Sequence, residues 1–462
     1  VTADAASSTL AEHFAAVPAE RPFDVVSGTT YGDMRERSAR LVAALWARGV
    51  RPGDRVAAQV GKRLDTIALY LACVSSGVVF VPVNPAWSPA EVAAIDADPA
   101  VILDDAGLDA LVLESVALEP WHGAVPRPHD LAVVLYTSGT TGRPKGAMLT
   151  QGNIAGNVEV LVPWWDLRAD DVLLHALPVF HAHGLFVALG CAVRAGMAMV
   201  LLPAFDVDDV VAWLPRCTVM MGVPTFYVRL LGDPRFDTTA CASMRRFISG
   251  SAPMLPATHA EFAARTGHVV VERYGMTETV MLTSNPIDAP RPGSVGLPLP
   301  GVTVRVVEPG DDGVGEVQVQ GPNVMAGYWA RERGDEWDGE WFRTGDLGRI
   351  DDDGYLWLTG RSKDLIITGG LNVSPMEVEQ VLDALPGVAE SAVIGVPDSD
   401  FGEVVVAVVV GDVGADDVRV AARERLAGYK APKRVIVVDE LPRNAMGKVE
   451  KAVLRARYGA PL

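Results

Sequence analysis

Cationic side chains are in short supply in this chain. Forty Lys and Arg stand against 58 Asp and Glu, a formal net charge of -18 over 462 residues. That balance argues against a nucleic-acid-binding protein, which usually shows a basic face. The acid surplus favours solubility and says nothing of fold. Any anionic ligand must therefore be met by a local concentration of the few cations.

Cysteine is scarcer still. Cys73, Cys191, Cys217 and Cys241 lie far apart in apolar surroundings and form no C-x-x-C. Packed free thiols are expected, not a disulfide framework or a zinc site. Long apolar runs are missing too: "AMVLLPAF" falls far short of the roughly 20 residues of a membrane span. The opening "VTADAASSTLAEHF" has no basic stretch followed by an apolar one, so no signal peptide is read there. Repeats and low-complexity tracts are absent. A cytoplasmic, reducing location is expected, with no membrane, nucleic-acid or obligatory protein partner.

What the chain has is ordinary globular material, 49% hydrophobic and 21% charged, in a length that suits two or more domains. "ERSARLVAALWARGV" carries apolar residues at helical spacing. "DRVAAQV", "RLDTIALYLACVSSG" and "VVFVPVNP" read as strand, helix and strand, a βαβ unit that implies a parallel sheet. Further near-continuous apolar runs, "LAVVLY", "MAMVLLP", "CTVMMGV", "RRFISG" and "HVVVERYG", are what a helix-covered parallel sheet needs. Ligands of such sheets collect at the carboxyl ends of strands. After "RPGSVGLPLPG" the alternating segments "VTVRVVE", "GEVQVQG" and "GYLWLTG" predict antiparallel strands. The last hundred residues read as a small α+β domain. The expected fold class is α/β: a large domain over 1–362, with parallel-rich sheets and a small antiparallel barrel-like part, then a small domain over 363–462.

The strongest local signal is "YTSGTTGRPKGAM", Tyr136 to Met148. Glycines let backbone N–H groups approach phosphate oxygens, hydroxyls add donors, and Lys145 adds charge. It is not a Walker A loop, since Gly146 follows the lysine. A flexible surface loop is the plain alternative.

This loop resembles the phosphate-binding signature of adenylate-forming enzymes: acyl-CoA synthetases, adenylation domains of peptide synthetases and luciferases. "YGMTET" (274–279), "TGD" (344–346), "GRSKDLIITGG" (360–370) and "PRNAMGKV" (442–449) resemble the family's later motifs, in the family's order, across essentially the whole chain. The resemblance implies a mobile C-terminal domain and substrates ATP and CoA with Mg²⁺. It also implies two half-reactions, acyl-AMP formation with release of pyrophosphate and then thioester formation with release of AMP. Thr137, Ser138, Gly139, Thr140, Thr141, Gly142 and Lys145 would hold phosphates. Tyr274 would stack on adenine with the backbone of Ser251 and Ala252 on the other side, Gly275 and Met276 would also bind the nucleotide, Asp346 would accept from the ribose hydroxyls, and Arg361 would contact the sugar or phosphate. Thr277 would bond the α-phosphate, Glu278 would hold Mg²⁺, and Lys448 would be the adenylation lysine, brought in by domain closure. Lys363 matches the hinge, and Gly369, Gly370 and Leu371 would border the pantetheine tunnel.

The acid is a separate question. Alternation places Arg273 with Val269 and Val271 on one face of a strand and Glu272 and Tyr274 on the other. A buried arginine is costly without an anionic partner. Arg229 follows a helix start at Pro224 and can share the face of Phe226 and Leu230. Each arginine could pair with a nearby acid of the chain. Alternatively both grip a substrate carboxylate through their bidentate forks. "FHAHGL", "GVPTFYVRL", "SGSAP" and "ERYGMTETVMLTSNP" resemble the malonyl-CoA synthetases within the family. That resemblance implies that Arg229, Arg273 and Ser251 hold the distal carboxylate of malonate, with His183 nearby. His181 would guard the pocket, and Ala182 and Met281 would wall the C2 side, where alanine leaves room for methylmalonate. The pair His181 and His183 lacks a third ligand for a metal. A ligase for another short or medium acid is the alternative. An amino-acid activator is disfavoured by the lack of an aspartate near "FHAHGL", and a non-catalytic nucleotide binder by the intact Lys448, Glu278 and Asp346. Gln151 stands where many relatives have histidine, with little effect expected.

Overall fold

The βαβ unit forms as read. The strands Arg55–Gln59 and Val79–Pro82 are parallel, with Val56 opposite Phe80, and the helix Leu64–Ser76 crosses between them. That helix stops at Gly77, whose φ of 75° is a left-handed cap that favours glycine. The computed structural model describes residues 8–137, 144–444 and 447–459. Ser138, Gly139, Thr140, Thr141 and Gly142 of the phosphate motif lie outside the described residues.

The chain divides into two compact units, one ending at Thr303 and taking in Gln320–Glu340, the other made of Val304–Val319 and Trp341 onward. The first holds a nine-stranded and a six-stranded sheet. In the larger sheet the strands Val172–His175, Val219–Gly222, Arg246–Ser249 and Val270–Met276 run parallel in that spatial order. Their carboxyl ends therefore gather on one edge the segments after His175, Gly222, Ser249 and Tyr274, which carry most of the expected acyl site. Val280–Ser284 then returns antiparallel, with Met276 opposite Val280. One face of this sheet is sealed by Tyr227, Leu230, Phe236, Phe247 and Phe262, all fully buried. Burial of such side chains contributes about 1.5–3 kcal/mol each.

In the smaller sheet, Leu131–Thr137 and Lys145–Thr150 pair antiparallel, with Thr137 opposite Lys145. The phosphate motif thus begins and ends on two hydrogen-bonded strands. Helix Gln151–Trp164 follows at once, started by a capping box between Thr150 and Asn153. Gln151, expected to matter little, is fully buried and donates from Nε2 to the Val74 carbonyl at 2.8 Å.

The three predicted strands form as Thr303–Val307, Gly315–Gln320 and Leu356–Arg361, and Trp341–Ile350, which is not among them, pairs antiparallel with the last two. The C-terminal sheet is built on Val388–Asp398 and Gly402–Gly411, with Arg434–Val438 added in parallel. Both faces of Gly402–Gly411 are covered. Val405, Ala407 and Val409 pack with Val378, Leu382 and Val418, while Val404, Val406 and Val408 pack with Leu441 and Leu454. This explains why the run "VVVAVVV" shows no alternation. No helix among the described residues is long and apolar enough to cross a membrane.

Candidate active site

The strand Val270–Met276 sends its side chains to two different tasks. On one face Glu272 is buried, 2.8 Å from His259 Nε2, and accepts backbone N–H bonds from Met254 at 3.1 Å and Gly293 at 3.0 Å. It ties the turn after the neighbouring strand to the sheet. On the other face Arg273 is 3% exposed, and its Nε and Nη2 have no hydrogen-bond partner. Among the described residues no carboxylate pairs with it, so the reading of an internal ion pair is not met. Burial pushes its pKa down. Val269, expected on the same face, precedes the strand and is exposed.

Gly250 makes room for that guanidinium. A Cβ there would stand 2.3 Å from Arg273 Nη1 and 2.4 Å from Cζ. Gly250→Ala should therefore displace the guanidinium while keeping its charge. We expect a raised KM for the acid with the KM for ATP nearly unchanged, read from steady-state kinetics. Equal shifts in both would count against the assignment.

Arg229 is placed otherwise than its spacing suggested. In helix Pro224–Leu231 the buried stripe is Tyr227, Leu230 and Leu231, and Phe226 is only half-buried, stacked on Phe205 at 3.9 Å. At about 100° per residue that register turns Val228 and Arg229 outward, so Arg229 is exposed and does not share the core face. Its backbone carbonyl accepts from the Gly232 N–H at 3.2 Å, and its guanidinium makes no hydrogen bond or ion pair among the described residues.

His183 opens a π-helical turn, His183–Ala188, a local widening frequent at functional sites. It is buried, and neither ring nitrogen has a partner. Burial, then the charge of Arg273, pushes its pKa well down, so the imidazole is neutral. Gly184 is required, since a Cβ there would sit 2.1 Å from the Pro178 carbonyl oxygen. His181 lies half-buried against Phe180. Ala182 is buried at the start of this turn. Met281 is buried and fixed from both sides: its carbonyl accepts from Asn157 and Asn323, each at 2.9 Å, and its N–H donates to Asn157 at 3.3 Å.

Sequence reasoning missed two members of this cluster. Buried His175 bonds the Gly184 carbonyl through Nε2 at 2.9 Å. Lys62 donates to the His175 carbonyl at 2.6 Å, has no carboxylate partner among the described residues, and is held well below its ordinary pKa by burial. Nothing local marks Lys62, which sits in a "GKR" turn that reads as exposed.

At the two ends of the Gly/Thr-rich motif, Thr137 Oγ1 donates to the Lys145 carbonyl at 3.4 Å. Lys145 Nζ lies 4.9 Å from the ring centre of Tyr328. Tyr328 donates to Glu278 at 2.9 Å, and Glu278 is 6% exposed. Tyr328 is thus a third missed residue, linking the motif's lysine to the acidic residue, and it lies in a short strand with no motif of its own. Thr277 is half-buried in the turn before Val280, and Tyr274 is buried. Gly275 cannot be replaced, because a Cβ would meet the Val280 carbonyl at 1.9 Å; Met276 beside it is half-buried. Ser251, half-buried next to exposed Ala252, has φ 73°, and Val280 has φ 50°. Such backbone costs about 1–3 kcal/mol per non-glycine residue and clusters at functional sites.

The second unit carries the rest. Asp346 is buried, faces Arg361 across the strand pair and accepts from its Nε at 2.7 Å. Lys363 lies in a short helical turn, its pKa lowered by burial and then by Arg361. Gly369 and Gly370, both with positive φ, turn the chain back so that Leu371 is exposed. Lys448 is exposed on a hairpin in which Asn444 N–H donates to the Lys448 carbonyl at 2.9 Å.

Two family models match the chain: AMP-binding enzyme over residues 11–329 and AMP-binding enzyme C-terminal domain over 377–448. Among solved structures, ATP-bound MatB from Rhodopseudomonas palustris is 44% identical with a TM-score of 0.91, over 97% of this chain and 98% of that one. A feruloyl-CoA synthase from Amycolatopsis is 39% identical over 93% of this chain and 94% of its own length. The mitochondrial malonate–CoA ligase of Mus musculus is 39% identical over 72% of this chain and 67% of its own.

Proposed function

The chain belongs to the AMP-binding enzymes, the adenylate-forming family, and we propose that as an AMP-forming acid–thiol ligase it joins malonate, with methylmalonate as a further substrate, to CoA. The observation that carries this reading is the orphaned guanidinium of Arg273. A buried cation with free donors is unfavourable until an anion accepts from it. A dicarboxylate brings that anion in addition to the carboxylate being activated, whereas a monocarboxylate such as ferulate leaves the charge unpaired. Neutral His183 can add a further donor. Ser251 and the exposed Arg229 complete the proposed set, Arg229 meeting the ligand from the solvent side. The likeness to the mouse malonate–CoA ligase supports the same choice.

In the first half-reaction a carboxylate oxygen bonds to the α-phosphorus of ATP and pyrophosphate leaves. In the second the thiol of CoA bonds to the acyl carbon and AMP leaves. Lys145, Thr137 and Thr277 would bind phosphate oxygens, Tyr274 the adenine, and Asp346 with Arg361 the ribose. Lys448 would offset the charge that grows on the α-phosphate. Lys363 would be the hinge between the domain ending at residue 362 and the mobile one that follows, and Gly369 to Leu371 would border the CoA arm. Among the described residues no three His, Cys, Asp or Glu side chains gather into a metal cage. The buried oxygens of Glu278 suit Mg²⁺, which usually arrives with phosphates and takes only one or two carboxylates from protein. When bound it would neutralise phosphate charge. The four buried, unpaired cysteines fit a cytoplasmic, reducing location.

Pyrophosphate release with ATP, Mg²⁺ and a panel of acids, with and without CoA, tests the reading. Malonate-dependent release that turns over only with CoA supports it. Strong activity with acetate or ferulate and none with malonate overturns it. Ala182→Thr should cut kcat/KM for methylmalonate more than for malonate, because a branched side chain replaces a methyl at a buried position. An unchanged ratio would remove Ala182 from the pocket wall.

A further inference from the structure

The hairpin that carries Lys448 is gripped by an ion pair on each side of the lysine. Arg443 precedes it. Its backbone bridges Val449, its Nη1 donates to the Gly447 carbonyl at 2.5 Å, and its Nη2 pairs with Glu390 on the strand Val388–Asp398. Lys451 follows, and its ammonium is 2.7 Å from Glu379 on the helix Pro375–Asp383. Glu379 is itself anchored, accepting the Val393 N–H at 2.7 Å. Within the hairpin, Lys448 N–H donates to Asn444 Oδ1 at 3.1 Å, and Glu450 N–H to the Pro442 carbonyl at 2.8 Å. The four charged side chains are between 18% and 31% exposed, whereas Lys448 is exposed. Pairs sheltered to that degree are less screened by salt than surface pairs.

We propose that Arg443 with Glu390, and Lys451 with Glu379, are positioning residues that fix the backbone from which Lys448 reaches the acid and the α-phosphate. The inference rests on the reading of Lys448 as the adenylation lysine. A lysine ammonium sits on a flexible four-carbon stem, so its place in the site is set by how firmly its Cα is held. A misplacement of about 1 Å is enough for a rate loss on the order of a hundredfold. None of the four clamp residues needs to touch a substrate. Their effect is confined to the step that uses Lys448.

The test separates the half-reactions in the full-length protein. Malonate-dependent ATP–pyrophosphate exchange reports adenylation, and thioester formation from chemically prepared malonyl-adenylate and CoA reports the second step. Arg443→Ala and Glu390→Gln should each lower the kcat of exchange by about tenfold to a hundredfold, with KM for ATP nearly unchanged and thioester formation within about twofold. Activity in the second assay shows that the variants fold. Arg443→Lys, which keeps the charge, should recover part of the loss, and Lys451→Met should act like Arg443→Ala. Equal losses in both assays, or no loss in exchange, would overturn the clamp. Lys448→Ala serves as the control: if it retains exchange, the reading of Lys448 fails, whereas loss in Lys448→Ala with none in Arg443→Ala sinks the clamp alone.

Discussion

Arg273→Met should make the protein more stable and a much poorer malonate ligase. Removing one partner of a desolvated charge pair costs roughly 2–5 kcal/mol of binding, about thirtyfold to several thousandfold in kcat/KM. ATP affinity should hold, because Tyr274 and Glu278 are untouched. Stability moves the other way. In the ligand-free protein the guanidinium is buried with two donor nitrogens unsatisfied, and an apolar side chain of similar length relieves that penalty. A melting temperature that rises while malonate kcat/KM falls, with benzoate or acetate little affected, is the expected signature. A fall in all three acids together would mean that Arg273 supports the fold and not the ligand. Added malonate should also raise the wild-type melting temperature and leave that of the variant unchanged, since only the former gains a partner on binding.

Asp383→Asn should remove a pH dependence from stability. Asp383 ends the helix Pro375–Asp383, its Oδ1 is buried without a partner, and its pKa is pushed up to about 7, first by burial and then by the charges of Glu379 and Glu390, against the hydrogen bond from Ser391. The fold therefore keeps a proton that the unfolded chain releases near pH 4. Stability is undiminished below that, falls as pH rises toward 7 and stays reduced above it. The loss is on the order of 4 kcal/mol. Asparagine needs no proton, so the variant should melt higher than wild type at pH 8 and nearly alike at pH 4. Thermal unfolding at several pH values checks it, and parallel curves for the two proteins would rule the carboxyl out as the cause.

Features that depend on near neighbours in the chain were legible; features that depend on distant ones were not. Arg273 could be read because a charge inside an apolar strand is locally anomalous. The helix Leu64–Ser76 and the strand Arg246–Ser249 were legible from period and punctuation. Tyr328 and Lys62 gave no such sign, since their partners, Glu278 and His175, are 50 and 113 residues away. Gly250 closes the run "RRFISG" with nothing local to explain it, and only the guanidinium packed on it shows why it lacks a side chain. Arg229 failed for a different reason. Phe226 and Tyr227 are both apolar and adjacent, so the period alone could not decide which faces inward, and a one-residue rotation separates a buried arginine from an exposed one.

The strand Gly402–Gly411 has a consequence for synthesis. Half of its apolar side chains are covered by Leu441 and Leu454, which leave the ribosome after it. Until they arrive, the nascent chain carries "VVVAVVV", uncharged, rich in β-branched residues and free of proline, with one face bare. Such a segment is the kind that pairs with its own copies. A chain truncated after Val438 would leave it permanently uncovered, so insolubility, and not a shortened but working enzyme, is the expected fate of that product.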